Sequence, residues 1–151
     1  MAIDPIEVLL VEDNPTDAEL ALHVLLRRVT SHALFHVHDG VEALEFLRGE
    51  GAFAGRDRND PPKVVLLDLK LPRMSGLGVL REMKADPRLR EIPVVMLTSS
   101  RQDRDLDEAY RLGVNSYIVK PVNYDDSAEA VAQVGAYWLR LNEVPPTPKP
   151  S

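Results

Sequence analysis

The sequence contains no cysteine in its 151 residues, which excludes a disulfide framework and any thiolate chemistry and fits a reducing cytoplasm. It also has no apolar run near the roughly 20 residues that a membrane-spanning helix needs. The N-terminal stretch MAIDPIEVLL carries acid where a secretory signal peptide carries base. A formal net charge of −6 argues against binding to a nucleic-acid backbone. We therefore expect a cytoplasmic protein with no membrane or nucleic-acid partner.

What the sequence does contain is an alternation of short apolar runs and helical patterns. Three of five apolar runs are continuous, which is typical of strands that are covered on both faces. The five predicted strands lie at residues 6–11, 33–38, 63–69, 92–97 and 116–120. Five helices are predicted between and after these strands. The first begins at Asn14-Pro15, the second runs from Val41 to Leu47, the third stops before Pro87, the fourth ends at Gly113, and the fifth runs from Asp126 to Leu141. This order predicts an α/β fold in which helices cover both faces of a parallel sheet.

The length of the chain fits one domain, which we place at residues 1–142. Residues 143–151 are proline-rich and are predicted to form a flexible tail. The segment 49–62 is long for a connection within a compact domain, and the sequence indicates no role for it.

Polar side chains stand at the ends of four predicted strands. The carboxyl ends of parallel strands lie along one edge of the sheet, and open α/β folds bind ligands there. The residues at these ends are Glu12, Asp13, Asp68, Thr98 and Lys120. Taken singly, each has an ordinary explanation, since an aspartate after a strand is usually a turn former or helix cap. Their joint placement predicts a single functional site.

The residue types indicate which chemistry this site could support. Two unit charges about 4 Å apart repel by roughly 4 kcal/mol at an effective dielectric near 20, so three clustered carboxylates call for a cation. Mg²⁺ suits such a site because it takes oxygen ligands and keeps room for a phosphate oxygen. Lys120 could pair with a phosphate or with Asp68, and Thr98 could donate to a phosphate oxygen. Asp68 could then act as a nucleophile that accepts a phosphoryl group.

Several motifs at these positions resemble the receiver domain of bacterial two-component response regulators, the CheY-like family. They are LLVEDNPTD, HDGVEAL, VVLLDLKLPRMSGLGVL, IPVVMLTSS and SYIVKPV. The resemblance extends from about Ile6 to Leu141. It implies a doubly wound, flavodoxin-like (βα)5 fold with five parallel strands in the order 2-1-3-4-5.

The resemblance also implies a role for each residue of the site. Asp68 is the phosphoacceptor and a ligand of Mg²⁺. Asp13 binds the metal directly and Glu12 through water, and the backbone carbonyl of Lys70 is a further ligand. Glu12 departs from the two aspartates of many receivers, but its longer side chain can reach a metal-bound water.

Other residues are implied to read out the phosphoryl group. Thr98 is the switch hydroxyl, and Tyr117 is the aromatic residue that follows it inward or outward. Lys120 contacts the phosphoryl group, and the Lys120–Pro121 peptide bond is expected to be cis, a form that only bonds before proline adopt at low cost.

The implied function is that of a single-domain response regulator. It catalyses only its own phosphorylation and dephosphorylation, takes its phosphoryl group from a sensor histidine kinase, and signals through protein–protein contacts. VEDNPTDAEL, segment 49–62 and the last helix resemble regulators associated with phytochrome histidine kinases. A second apolar stripe on the last helix has two explanations, a wide core face or a surface for a homodimer through helix 4, strand 5 and helix 5. Its members are Ala130, Val134, Tyr137 and Leu141.

Two alternatives belong to other classes. The first is a degenerate receiver that acts as a phosphorylation-independent interaction module, although the intact acid, threonine and lysine set speaks against it. The second is an enzyme with the same topology. An aspartate-nucleophile phosphatase would carry a second aspartate where Lys70 stands, and a flavin carrier would carry a phosphate-binding loop where EDNPTD stands.

Overall fold

The computed structural model describes residues 6–30, 33–56 and 60–146. Its five strands form one parallel sheet in the order β2-β1-β3-β4-β5, which confirms the predicted fold and strand order. The strands are β1 (Val8–Val11), β2 (Leu34–Val37), β3 (Val64–Leu67), β4 (Val94–Thr98) and β5 (Ser116–Val119).

Five helices connect and follow these strands, close to the predicted positions. They are α1 (Pro15–Leu25), α2 (Gly40–Arg48), α3 (Gly76–Ala85), α4 (Asp103–Leu112) and α5 (Tyr124–Ala136). Asn14 caps α1 as expected, because its side chain accepts a hydrogen bond from the backbone N–H of Asp17. Gly49 and Gly113 end α2 and α4 in the left-handed conformation, which glycine adopts without steric cost.

The central strands are buried on both faces, and their alternating side chains enter two separate cores. Leu9 and Val11 of β1 belong to the core beneath α2, α3 and α4. Val8 and Leu10 belong to the core beneath α1 and α5. This double burial explains why the strand sequences are continuous apolar runs rather than alternating ones.

The last helix differs from the single predicted helix over residues 126–141. Regular α-helix ends at Ala136, and a π-helical turn follows from Tyr137 to Leu141. The second apolar stripe of the last helix does not share one environment, because part of it is buried and part of it is exposed. Val134 is in the core at 5% exposure, whereas Tyr137 and Leu141 are 49% and 74% exposed.

The long segment after α2 packs against the aromatic side chains of the β2 edge. It contains a 3-10 turn over Gly51–Phe53, and the Phe53 ring meets the rings of Phe35 and Phe46 edge to face. Arg56 stacks over Phe46 and donates to its backbone carbonyl. Residues 57–59 of this segment and residues 147–151 of the predicted flexible tail lie outside the described residues.

The peptide bond between Lys120 and Pro121 is trans, so the prediction of a cis bond is wrong for this structure. On either side of this bond, the Lys120 N–H donates to the Thr98 carbonyl (2.8 Å) and the Pro121 carbonyl accepts from Ser127 (2.9 Å). The trans form is the intrinsically favoured one, by roughly 0.5–1 kcal/mol.

Among the helices of residues 6–30, 33–56 and 60–146, none combines the length and the apolar character that crossing a bilayer requires.

Gly76, the first residue of α3, lies directly against the end of β3. A Cβ atom at this position would be 2.2 Å from the Asp68 carbonyl oxygen and 2.8 Å from the Leu69 Cα. Because backbone atoms cannot move aside as a flexible side chain can, we expect Gly76→Ala to lower the free energy of unfolding by about 1–3 kcal/mol, a typical cost of overpacking. Urea unfolding measures this change.

Gly55→Ala is the matched control, since a Cβ atom there would meet open space. A Gly76→Ala protein as stable as the Gly55→Ala protein would contradict the prediction.

Candidate functional site

The strand register brings the predicted site residues to one edge of the sheet. Val11 of β1 is paired with Leu67 of β3, so the residues that follow them, Glu12 and Asp68, are neighbours. Thr98 of β4 is paired with Val119 of β5, which places Lys120 one residue beyond Thr98. The site is therefore a consequence of register, as the sequence predicted.

The carboxylates of Glu12, Asp13 and Asp68 form one cluster. Each offers an oxygen atom that lies within 4.8 Å of the other two, and Glu12 and Asp68 are buried whereas Asp13 is exposed. Three such oxygens, one of them open to solvent, are a donor set suited to a hard divalent cation. The backbone of Glu12 is held from the neighbouring strand, because the His36 Nε2–H donates to the Glu12 carbonyl (2.8 Å).

Lys120 enters the same cluster and contacts three carboxylates. Its Nζ atom donates to Glu12 Oε1 at 2.6 Å, Asp17 Oδ2 at 2.9 Å and Asp68 Oδ2 at 3.2 Å. The second oxygen of Asp68 accepts from the backbone N–H of Leu69 (2.7 Å). The Asp68 side chain is thus fixed at both oxygens at the end of a rigid strand.

The electrostatic environment shifts the pKa values of two groups in the site. Burial raises the pKa of Glu12 to about 7, with the Asp68 carboxylate adding to the rise and Lys120 opposing it. Burial alone would lower the pKa of Lys120, but its hydrogen bonds to Glu12 and Asp17 and the charge of Asp68 raise it above its ordinary value. Lys120 therefore stays charged, and the protonated form of Glu12 is favoured over a wider pH range than in water.

Thr98 and Tyr117 are linked through a third residue, Ser100. Thr98 is fully buried, and its hydroxyl oxygen accepts from the Ser100 N–H (3.3 Å). The Tyr117 hydroxyl donates to the Ser100 carbonyl (3.1 Å), and burial raises the pKa of this hydroxyl, so it remains a donor. The Ser100 hydroxyl donates to Asp105 of α4 (2.5 Å), which connects the threonine to the first turn of that helix.

The remaining predicted ligand, Lys70, is an exposed residue that lies two positions after Asp68, in the loop that leads to α3. The ligand role of its backbone carbonyl stays a prediction.

Asp17, which contacts Lys120, is a residue of the site that the sequence did not predict. It lies on the first turn of α1 rather than at a strand end, and an acidic residue there has an ordinary explanation as a favourable charge at a helix N-terminus. The available signal was its position, one helical turn after Asp13, on the helix that leaves the acid-bearing strand.

Comparison with known proteins identifies the family. A profile of the response regulator receiver domain matches residues 8–132. The chain belongs to the response regulator receiver family, and not to the flavin carriers or aspartate-nucleophile phosphatases considered as alternatives. Phosphorylation on an aspartate with Mg²⁺ is typical of this family, and its members interact with histidine kinases.

Individual relatives are similar over nearly the whole chain. The probable methanogenesis regulatory protein FilR2 of Methanothrix harundinacea is 43% identical over 95% of this chain and 90% of its own length. Response regulator Rcp1 of Synechocystis sp. is 38% identical over 93% of this chain and 94% of its own length.

Two solved structures resemble the fold closely. The phosphorylated cyanobacterial phytochrome response regulator RcpA superposes with a TM-score of 0.87 at 38% identity, covering 95% of this chain and all (100%) of that chain. The Mn(2+)-bound form of Rcp1 superposes with a TM-score of 0.84 at 38% identity, covering 92% of this chain and 98% of that chain. The acid cluster described above fits the divalent-metal site of this family.

The raised pKa of Glu12 predicts how the stability of the metal-free protein depends on pH. Between its ordinary value of 4.5 and about 7, native Glu12 retains a proton that the unfolded chain has already lost. The native state then binds more protons, so this group lowers the free energy of unfolding as pH rises, by at most about 1.4 kcal/mol per pH unit. Unfolding in EDTA at several pH values, for wild type and Glu12→Gln, isolates this contribution.

Glu91→Gln, which removes an exposed carboxylate, is the control. The difference between wild type and Glu12→Gln should fall across this pH range, and a flat or rising difference would show that Glu12 is not protonated in the native state.

Proposed function

We propose that this protein is a response regulator that accepts a phosphoryl group on Asp68. In the transfer, a carboxylate oxygen of Asp68 forms a bond to phosphorus. The bond from phosphorus to the donor, a kinase histidine nitrogen or the oxygen of acetate, breaks, and the donor leaves with the electron pair. The observation that carries this proposal is the buried Asp68 carboxylate held within 3.2 Å of the Lys120 ammonium and inside a three-carboxylate cluster.

Mg²⁺ is the proposed cofactor, and Glu12, Asp13, Asp68 and the carbonyl of Lys70 are the residues that would hold it. A bound Mg²⁺ would neutralise negative charge on the transferring group. Lys120 contributes a positive charge beside Asp68, and Thr98 offers a hydroxyl for a phosphoryl oxygen. When Thr98 turns toward that oxygen, it must release the Ser100 N–H, and the hydrogen bonds from Ser100 carry this change to Tyr117 and α4.

The test is incubation with Mg²⁺ and acetyl phosphate followed by intact mass measurement. We expect wild type to gain the mass of one phosphoryl group as an acid-stable, base-labile adduct. Asp68→Asn should gain none, since an amide cannot act as the nucleophile, and EDTA should prevent the reaction.

Asp103→Asn is the control, because Asp103 is an exposed residue on the first turn of α4. No adduct on wild type, or an undiminished adduct on Asp68→Asn, would contradict the proposal and favour a degenerate receiver that acts as an interaction module.

For the kinase, we propose a bacterial phytochrome. The support is the similarity over nearly the full chain to the phytochrome response regulator RcpA. The 43% identity to the methanogenesis regulator FilR2 supports a second candidate, a histidine kinase that is not a phytochrome. Phosphotransfer from a purified bacterial phytochrome kinase to Asp68, compared with transfer from an unrelated histidine kinase, separates the two.

We further propose that output passes through a homodimer formed by α4, β5 and α5. Beside the edge strand β5 lies a groove of about 440 Å³ whose lining includes Ile118, Val134, Tyr137 and Trp138. Exposed apolar side chains continue on the flanking elements, with Tyr110 53% and Tyr137 49% exposed. An apolar surface of this kind on an edge strand is suited to a second copy of the chain.

Sedimentation with and without beryllofluoride tests the dimer. We expect Tyr110→Ser and Tyr137→Ser each to weaken self-association about tenfold or more, as truncation of a central interface aromatic commonly does. Glu50→Ser is the control, since Glu50 is exposed and precedes the turn that packs on the β2 edge, at the opposite end of the sheet from β5. Equal association of all three variants would exclude this face as the interface.

We assign the receiver domain to residues 1–142. A cytoplasmic location is proposed from the absence of cysteine and from the need to meet a kinase there. In this proposal, the only reactions that the protein catalyses are its own phosphorylation and dephosphorylation.

A further inference from the structure

Lys120 has a partner that the proposed phosphoryl transfer does not require. Asp17 Oδ2 lies 2.9 Å from Nζ, nearer than Asp68 at 3.2 Å. Asp17 is on the first turn of α1, on the side of the site away from Thr98 and α4. Its carboxylate is therefore a second anchor for the lysine, attached to a different helix from the switch residues.

Helix capping does not account for this contact. The capping hydrogen bond of α1 uses only the backbone N–H of Asp17, which donates to Asn14 (3.0 Å). The equivalent residue of α5 is Asp126, whose backbone N–H likewise donates to the capping Asn123 (2.8 Å). There the carboxylate stays local and accepts from the Asn123 side chain (2.7 Å), whereas the carboxylate of Asp17 reaches across to β5.

The ammonium group of Lys120 has no donor left over for a phosphoryl oxygen. It carries three N–H donors, and Glu12, Asp17 and Asp68 take them at 2.6, 2.9 and 3.2 Å. While Asp68 is still a carboxylate, contact of Lys120 with an incoming phosphoryl group therefore requires that one of these three hydrogen bonds be released. Asp17 has a side chain 42% exposed, against 4% for Glu12 and 10% for Asp68, so it loses least by returning to water.

We propose that Asp17 is a positioning residue that holds Lys120 in the unphosphorylated state and competes with the phosphoryl group on Asp68 for it. This inference rests on the proposed role of Asp68. A small cavity of about 30 Å³ borders Asp17, Lys120 and Ser127 between α1 and α5, the volume of about one water molecule. Asp17 and Lys120 thus have room to separate, and phosphorylation would release the first turn of α1 from β5.

The test compares Asp17→Asn, Asp17→Glu and Asp126→Asn with wild type. The measured quantity is the rate of phosphorylation by acetyl phosphate at fixed Mg²⁺ and ionic strength. Asp17→Asn should be about two- to fivefold faster, as expected when one partly exposed ion pair no longer opposes the reaction. Asp17→Glu, which keeps the charge, and Asp126→Asn, the matched capping variant, should react at the wild-type rate.

An Asp17→Asn protein at the wild-type rate would overturn the inference, and so would an equal acceleration in Asp126→Asn or in Asp17→Glu. A second measurement separates this inference from the proposed function. In unphosphorylated protein, the ¹⁵N ammonium resonance of Lys120 should shift in Asp17→Asn but not in Asp126→Asn. If wild type takes no phosphoryl group, the role of Asp68 fails, and an unshifted resonance would independently refute the holding role of Asp17.

Discussion

A single partly buried ammonium group, that of Lys120, stabilises the carboxylate-rich end of the sheet. Glu12 and Asp68 are 4% and 8% exposed, and two adjacent carboxylates removed from water would repel each other strongly without a compensating charge. Lys120 supplies that charge from the end of β5, 108 residues after Glu12 and 52 residues after Asp68. The strand register, the loop that carries Lys120 and the packing of α1 against the sheet all serve to keep this ammonium in place.

Under the proposed phosphorylation of Asp68, the same arrangement would transmit the change in two directions. Toward α4, hydrogen bonds through Ser100 connect Thr98 to Asp105 and Tyr117. Toward α1, Lys120 connects the acid cluster to Asp17. One added phosphoryl group would alter both sets of contacts, because its oxygens compete for the Thr98 hydroxyl and for the lysine donors. The flat rigid strands between them change little, since they are packed on both faces.

The sequence predicted the sheet and the residues at its edge because each depends on a local pattern, whereas the strand order followed from the resemblance to the receiver family. Continuous apolar runs indicate doubly covered strands, and the residue after each run is fixed at the same edge. Contacts between distant side chains left no such pattern, as Asp17 with Lys120 illustrates. The π-helical turn after Ala136 was also missed, because tertiary packing decides such local changes of helix type. The cis bond expected at Pro121 followed from the family resemblance and not from a pattern in the residues.

The position of the one tryptophan in the chain gives the molecule an optical property. Trp138 is 9% exposed, meets the Tyr137 ring at 5.0 Å between centroids and borders the groove beside β5. Because all indole emission comes from this one residue, its wavelength and quenching report the polarity of that groove without an attached label. The protein therefore carries its own fluorescent probe at the surface proposed for its partner.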